Sequence, residues 1–252
     1  MDYASPGPLS ALPAGPHLDD LPAAPDALAG IVQHLVLHPL EAAPHHLPEE
    51  RFATNQVRPA AALVTALLGL DPAPLAVPRP PERRIVGTCR HFTVLAVALL
   101  RHRGVPARAR CGFATYFQEG HGLDHWVAEY RADGRWVRFD AQLGRFPEPG
   151  TFLSGGEAWS AYREGRIDAA RFGVGGTGNW GPAEIRGNVI RDLAALNKVE
   201  TLPWDEWGRM EASYRGETGD DYDALMDRIA AADDPAALYG VQDLAAPRAL
   251  LD

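Results

Sequence analysis

Cysteine is scarce in this chain of 252 residues: there are two, too few for a disulfide framework. No stretch approaches the roughly 18 consecutive apolar residues that a membrane-spanning helix needs. The opening segment has neither a basic start nor an unbroken apolar run, so no secretory leader is expected. Positive charge is in deficit, with 24 Lys and Arg against 33 Asp and Glu and a formal net charge of −9. No basic run is interleaved with aromatics. Nucleic acid and anionic membrane surfaces are therefore excluded as main partners. No internal repeat is present. Together these absences predict a soluble protein of a reducing, cytoplasmic compartment.

What is present suffices for one sizeable core: 46% of the residues are hydrophobic and 23% charged. Residues 1–25 are dense in proline and glycine and read as an irregular arm. The expected main domain is 26–215 with its core at 85–145, followed by a C-terminal helical tail at 216–252 whose last residues are weakly tethered. Helical spacing is predicted over 26–38 and 58–70, and a proline-rich connector over 71–82. In "GTCRHFTVLAVALLRHRG", Thr88 suits an N-cap, Cys89 the first helical position and Gly104 the stop. Every residue from Val94 to Leu100 is apolar, the mark of a buried helix. A strand is predicted over 107–117 and a hairpin over 125–140 around Asp133-Gly134. Helices return in "GEAWSAYREG", "AEIRGNVIRDLAALNKVE", "WDEWGRMEASY" and "DYDALMDRIAAA". Helices, then a helix feeding antiparallel strands, then helices again make an α+β pattern with a central helix against an antiparallel sheet.

A lone cysteine is most often packing, and Cys111 in mid-strand reads that way. Cys89 has a different setting. At a helix N-terminus the unpaired N–H groups and the dipole favour an anion, and so a nucleophilic thiolate. The same N–H groups can hold an oxyanion. A thiolate needs a base, and the base an orienting group. With Asp133-Gly134 as a two-residue turn, Glu129 faces Arg138, a cross-strand pair of opposite charge, and Val127 faces Asp140. His125 and Asp140 then become diagonal neighbours on one face, about 7–8 Å apart at the backbone. A one-residue bulge would send Asp140 to the other face. Taken singly, His125 also fits a core histidine and Asp140 a turn cap.

These blocks together resemble the core of the transglutaminase-like superfamily of cysteine enzymes. A cysteine opens a helix (Cys89), and "RHRGVPAR" (101–108) leads into a strand. A histidine strand ends in an acid (His125, Glu129), and a tryptophan strand ends in aspartate (Trp136, Asp140). The resemblance spans 87–144. It implies a papain-like α+β core and a catalytic triad, with Cys89 as nucleophile, His125 as general base and acid, and Asp140 as orienting carboxylate. Two departures stand out. Trp126 follows the histidine directly rather than two residues later. His91 replaces a residue that is often acidic, and reads either as a neighbour that perturbs Cys89 or as a solvated residue. Trp126, Asn55 and Gln56 are candidates for the second oxyanion donor.

His34 and His38 have the i, i+4 spacing of a metal pair, with His45 and His46 beyond, but no HExxH pattern or third ligand accompanies them, and no metal or cofactor is expected. "VGGTGNWG" (174–181) lacks the Walker lysine and GxGxxG, and reads as a loop or lid over the cleft. The charged stretch 185–208 reads as a solvated face or as a substrate-selecting wall. The expectation is an acyl-transfer enzyme working through a thioester on Cys89, cleaving or forming an amide on a peptide or small-molecule substrate, one that a carrier protein can present. The alternative is a non-catalytic peptide- or protein-binding module on the same fold.

Overall fold

The computed structural model describes residues 1–241 and 244–251. It falls into two compact units, one built mainly of residues 2–109 and 127–146, the other of 110–126 and 147–250.

The first unit opens with the N-terminal arm. Apart from one 3-10 turn (Pro16–Leu18) it has no helix or strand, yet it is pinned at intervals. Ala60 N–H donates to the Leu9 carbonyl, Leu75 N–H to His17 and Ala107 N–H to Tyr3. Leu9, Leu18 and Leu21 are buried. Then come α1 (Pro25–Gly30), β1 (Val36–Leu37), α2 (Pro39–Ala42), α3 (Ala60–Leu70), β2 (Ile85–Val86) and α4 (Cys89–His102). The helix predicted over 26–38 is cut short. After Gly30 the chain tightens into a 3-10 turn at Ile31–His34 and then extends as β1, paired in parallel with β2. Pro39 holds His38 extended, because its ring crowds a helical residue before it. His34 and His38 therefore do not share a helical face, and His38 instead accepts from Leu40 N–H as the N-cap of α2.

The proline-rich connector is ordered by one side chain. Prolines supply carbonyls without N–H groups, and the buried Arg79 provides donors in their place. Its guanidinium reaches the carbonyls of Asp71 (3.2 Å), Ala73 (2.5 Å), Pro74 (3.4 Å) and Val77 (3.3 Å). Arg51 holds the Glu82 and Arg84 carbonyls, and the Thr54 hydroxyl bonds to both backbone groups of Val86. The chain thus enters α4 on a fixed path.

Helix α4 is buried from Cys89 to Arg101 and packs on α1 and α3. Its end is a Schellman motif: Gly104 N–H bonds to Arg101 O, and Val105 N–H to Leu100 O, with Gly104 at φ +73°. Strands β3 (Ala107–Ala114) and β4 (Gly122–Ala132) run on from one unit into the other, while β5 (Arg135–Phe139) belongs to the first. The hairpin has its predicted register, five pairs from Ala128–Phe139 to Ala132–Arg135 without a bulge. Asp133 (φ 48°) and Gly134 (φ 76°) both take the left-handed conformation that a type I′ turn demands. Glu129 is buried between Arg108 and Arg138, at 2.8 Å from each. Arg108 lies 4.0 Å over the Trp136 ring.

The second unit pairs β6 (Phe152–Ser154) antiparallel to β3, and β7 (Phe172–Gly173) parallel to the start of β4. Helices α5 (Gly155–Arg163), α6 (Pro182–Leu196), α7 (Met210–Tyr214) and α8 (Asp220–Ala230) pack together around α6. The helix predicted over 204–214 is confined to its last turn, because the Asp205 carboxylate takes Leu202 N–H and turns the chain locally. Residues 174–181 form a loop closed by a Gly173–Trp180 bridge. The C-terminal segment is better tethered than predicted: Leu244 is buried, and its carbonyl accepts from the Trp207 indole at 3.0 Å. Positions 242, 243 and 252 of the predicted tail lie outside the described residues. The mixture of helices with a largely antiparallel sheet is the predicted α+β class.

Candidate active site

Cys89 occupies the first helical position of α4 behind Thr88 at the N-cap, as predicted, and is 7% exposed. A helix leaves its first N–H groups without intrahelical partners, and Cys89 sits among them.

His91 is neither a charged neighbour of the cysteine nor a solvated residue. It is fully buried, and its Nδ1 accepts from Thr88 N–H at 3.0 Å, filling the place that Glu or Gln takes in a capping box. Burial, reinforced by the Arg90 charge, pushes its pKa down to about 3, so the ring is neutral. Nε2 then carries the proton, held toward the Val57 carbonyl but outside hydrogen-bond geometry. Gly87 makes room for this ring: a Cβ there would stand 2.6 Å from the His91 Cβ. The signal for this role was in the sequence, as a threonine cap with an acceptor side chain three residues on.

Asp140 directly follows β5 and is buried. Its Oδ1 takes Leu143 N–H at 3.0 Å, and its backbone pairs with Arg145. The turn-capping role that it also fitted is thus part of what it does. Cys89 and Asp140 fall in the first unit. His125 falls in the second, one residue ahead of the point where β4 passes between them. His125 is 2% exposed, and its ring meets Phe117 at 4.9 Å and Tyr116 at 6.1 Å, both edge-on. Neighbours on a strand point to opposite faces, so Trp126 projects away from the His125 side, where its indole N–H is buried without a partner.

The stretch 185–208 is neither a solvated face nor an open wall at α6, which is buried nearly throughout. Its charges form an interior network. Asp192 binds Arg110 with both oxygens (2.9 and 2.8 Å) and also takes Cys111 N–H. Asn188 donates to Asp124 at 2.8 Å and to the Gly112 carbonyl at 3.2 Å, and the Cys111 sulfur lies 3.2 Å from its Oδ1. Cys111 is therefore a packed, hydrogen-bonded residue. Among the described residues no group of three or more His, Cys, Asp or Glu is arranged to hold a metal ion.

Asp124, beside His125, has its pKa raised from 3.8 to about 6 by burial and then by the Glu184 charge. The folded protein keeps this proton to about pH 6, whereas the unfolded chain releases it near 3.8. Over that window the folded state binds more protons, so the contribution of Asp124 to stability falls as pH rises. Asp124→Asn retains the acceptor for Asn188 and removes the buried charge. Its melting temperature is expected to exceed the parent's by a few degrees at pH 7.5, with the gain vanishing at pH 4. An equal gain at both pH values would contradict this account.

Residues 77–141 match the model of the transglutaminase-like superfamily. No curated protein matches the chain. Among solved structures, a provisionally named cysteine protease from Cytophaga hutchinsonii is 16% identical, with a TM-score of 0.24. The match covers 61% of this chain and 51% of that one, and so loose a superposition carries no argument. The cysteine-headed helix, the histidine strand and the aspartate that follows β5 all lie inside 77–141, and through this core the chain belongs to the transglutaminase-like superfamily.

Proposed function

We propose that the protein is a cysteine-dependent acyl-transfer enzyme acting through a thioester on Cys89. The observation that carries this reading is the position of Cys89: first residue of a buried helix, inside the segment that matches the family. The Cys89 thiolate attacks the carbonyl carbon of an amide, and the first-turn N–H groups of α4 steady the oxyanion. His125, holding the thiol proton, passes it to the departing amine as the C–N bond breaks, leaving the acyl group on sulfur. His125 then takes a proton from the acceptor, which attacks the thioester and expels Cys89. Water as acceptor gives hydrolysis, and an amine gives a new amide. Asp140 holds the imidazole orientation. A peptide or small acyl compound, free or on a carrier protein, is the substrate class.

Alkylation by iodoacetamide tests this without knowledge of the substrate. Cys89, followed by peptide mass, is expected to react faster than free cysteine at pH 6–7, and His125→Ala to slow it at least about tenfold. Labelling no faster than free cysteine, with no acyl adduct after incubation with activated esters, would favour a binding module.

A further inference from the structure

Among the described large apolar side chains that are exposed, Phe117 is the one in ring contact with a proposed catalytic residue. It is 39% exposed, while the imidazole it touches at 4.9 Å is 2% exposed. Phe117 thus forms the solvent-facing cover of His125. Tyr116 braces it, with ring centroids 4.9 Å apart and its own edge contact to His125. The segment continues to His121, whose ring meets Trp180 at 5.9 Å, and Trp180 is tied back through its indole N–H to the Thr177 carbonyl. An exposed ring braced on both sides is a prepared contact, since little side-chain freedom remains to be lost when a ligand covers it. A single exposed phenylalanine needs no explanation by itself. One that covers the base has a consequence, because a group reaching that imidazole must pass against it.

We infer that Phe117 determines specificity, contacting an apolar group, aromatic or branched aliphatic, that lies next to the carbonyl under attack. This rests on the proposed role of His125. The substrate class narrows accordingly to acyl donors with an apolar flank, and donors with a charged group at that place are disfavoured because Phe117 gives no compensation for lost hydration.

The test compares alkylation of Cys89 by iodoacetamide and by N-benzyliodoacetamide, each rate taken relative to glutathione. The parent protein is expected to prefer the benzyl reagent roughly tenfold, the discrimination a good apolar contact provides. Phe117→Ala is expected to lose that preference while its rate with iodoacetamide stays within about twofold, and Phe117→Leu to keep part of it. Melting temperatures identify any variant that fails to fold, and Phe117→Leu then serves alone. No benzyl preference in the parent, or the same preference in Phe117→Ala, overturns the inference. The His125→Ala variant separates the two readings. If it slows both reagents while Phe117→Ala changes nothing, the enzyme reading stands and the specificity role falls. If His125→Ala leaves both rates unchanged while Phe117→Ala abolishes the preference, the apolar contact stands and the role of His125 as base falls.

Discussion

Cys89→Ala is expected to abolish turnover on any donor that acylates the parent protein, a loss on the order of 10⁴-fold or more. The proposed chemistry has no substitute for the sulfur, since no thioester forms without it. The same change should scarcely disturb the fold. Alanine is the best helix former, and position 89 opens α4 ahead of its capping box rather than filling the middle of the core. The melting temperature should therefore remain within a few degrees of the parent's. Turnover and melting measured on one preparation give the decisive contrast. Unchanged turnover would end the covalent mechanism, whatever role the rest of the site played.

Arg191→Met is expected to have the largest effect on stability. Arg191 is 2% exposed and donates to Glu184 Oε1 at 3.0 Å, Asn188 Oδ1 at 3.2 Å, the Tyr214 hydroxyl at 3.3 Å and the Asp205 carbonyl at 3.4 Å. Tyr214 in turn donates to Glu184 Oε2 at 2.6 Å. The helix accommodates this cluster through Gly187, where a Cβ would stand 2.8 Å from the Tyr214 hydroxyl and 2.9 Å from an Arg191 nitrogen. Methionine fills much of the arginine's volume but leaves Glu184, with Asp124 near it, without the cation. Removing one partner of a buried pair costs about 3–5 kcal/mol. For a chain of this size that is a fall in melting temperature of roughly 6–20 °C. Adding Glu184→Gln to Arg191→Met should recover part of the loss, because the uncompensated charge is its main source. A loss below about 1 kcal/mol, or no recovery in the double variant, would show that the charges are not what the cluster provides.

The legible parts of this fold were those specified by adjacent residues. Asp133-Gly134 fixed the hairpin register, and Thr88, Cys89 and Gly104 bounded α4, because each signal acts within one turn of chain. The stretch 26–38 misled because apolar spacing alone does not separate a continuous helix from a short helix, a 3-10 turn and a strand. Gly30 and Pro39 decided between them. The interior of α6 was illegible for a different reason. Arg191 and Asp192 have the composition of a solvated face, and their partners come from Arg110, Tyr214 and Asp205, positions that no local pattern connects. His91 was misplaced because histidine is not the usual third residue of a capping box, although its Nδ1 accepts as a carboxylate does. For the candidate site, the residues Cys89, His125 and Asp140 were nameable in advance, while Phe117 was not, since nothing in "ATYFQEG" indicates that its ring covers an imidazole.

The connector between α3 and β2 bears on how this chain can vary. A loop whose carbonyls converge on one guanidinium has no internal ladder of its own to preserve. Its five prolines can be exchanged one at a time, each at the cost of some chain stiffness, provided the carbonyls still turn inward. Arg79 cannot be exchanged on those terms. Lysine has three donors at a single point, where four carbonyls spread around a plane need the fork of a guanidinium. In this segment tolerance to substitution should thus run opposite to the usual expectation, with the prolines variable and the one charged residue among them fixed.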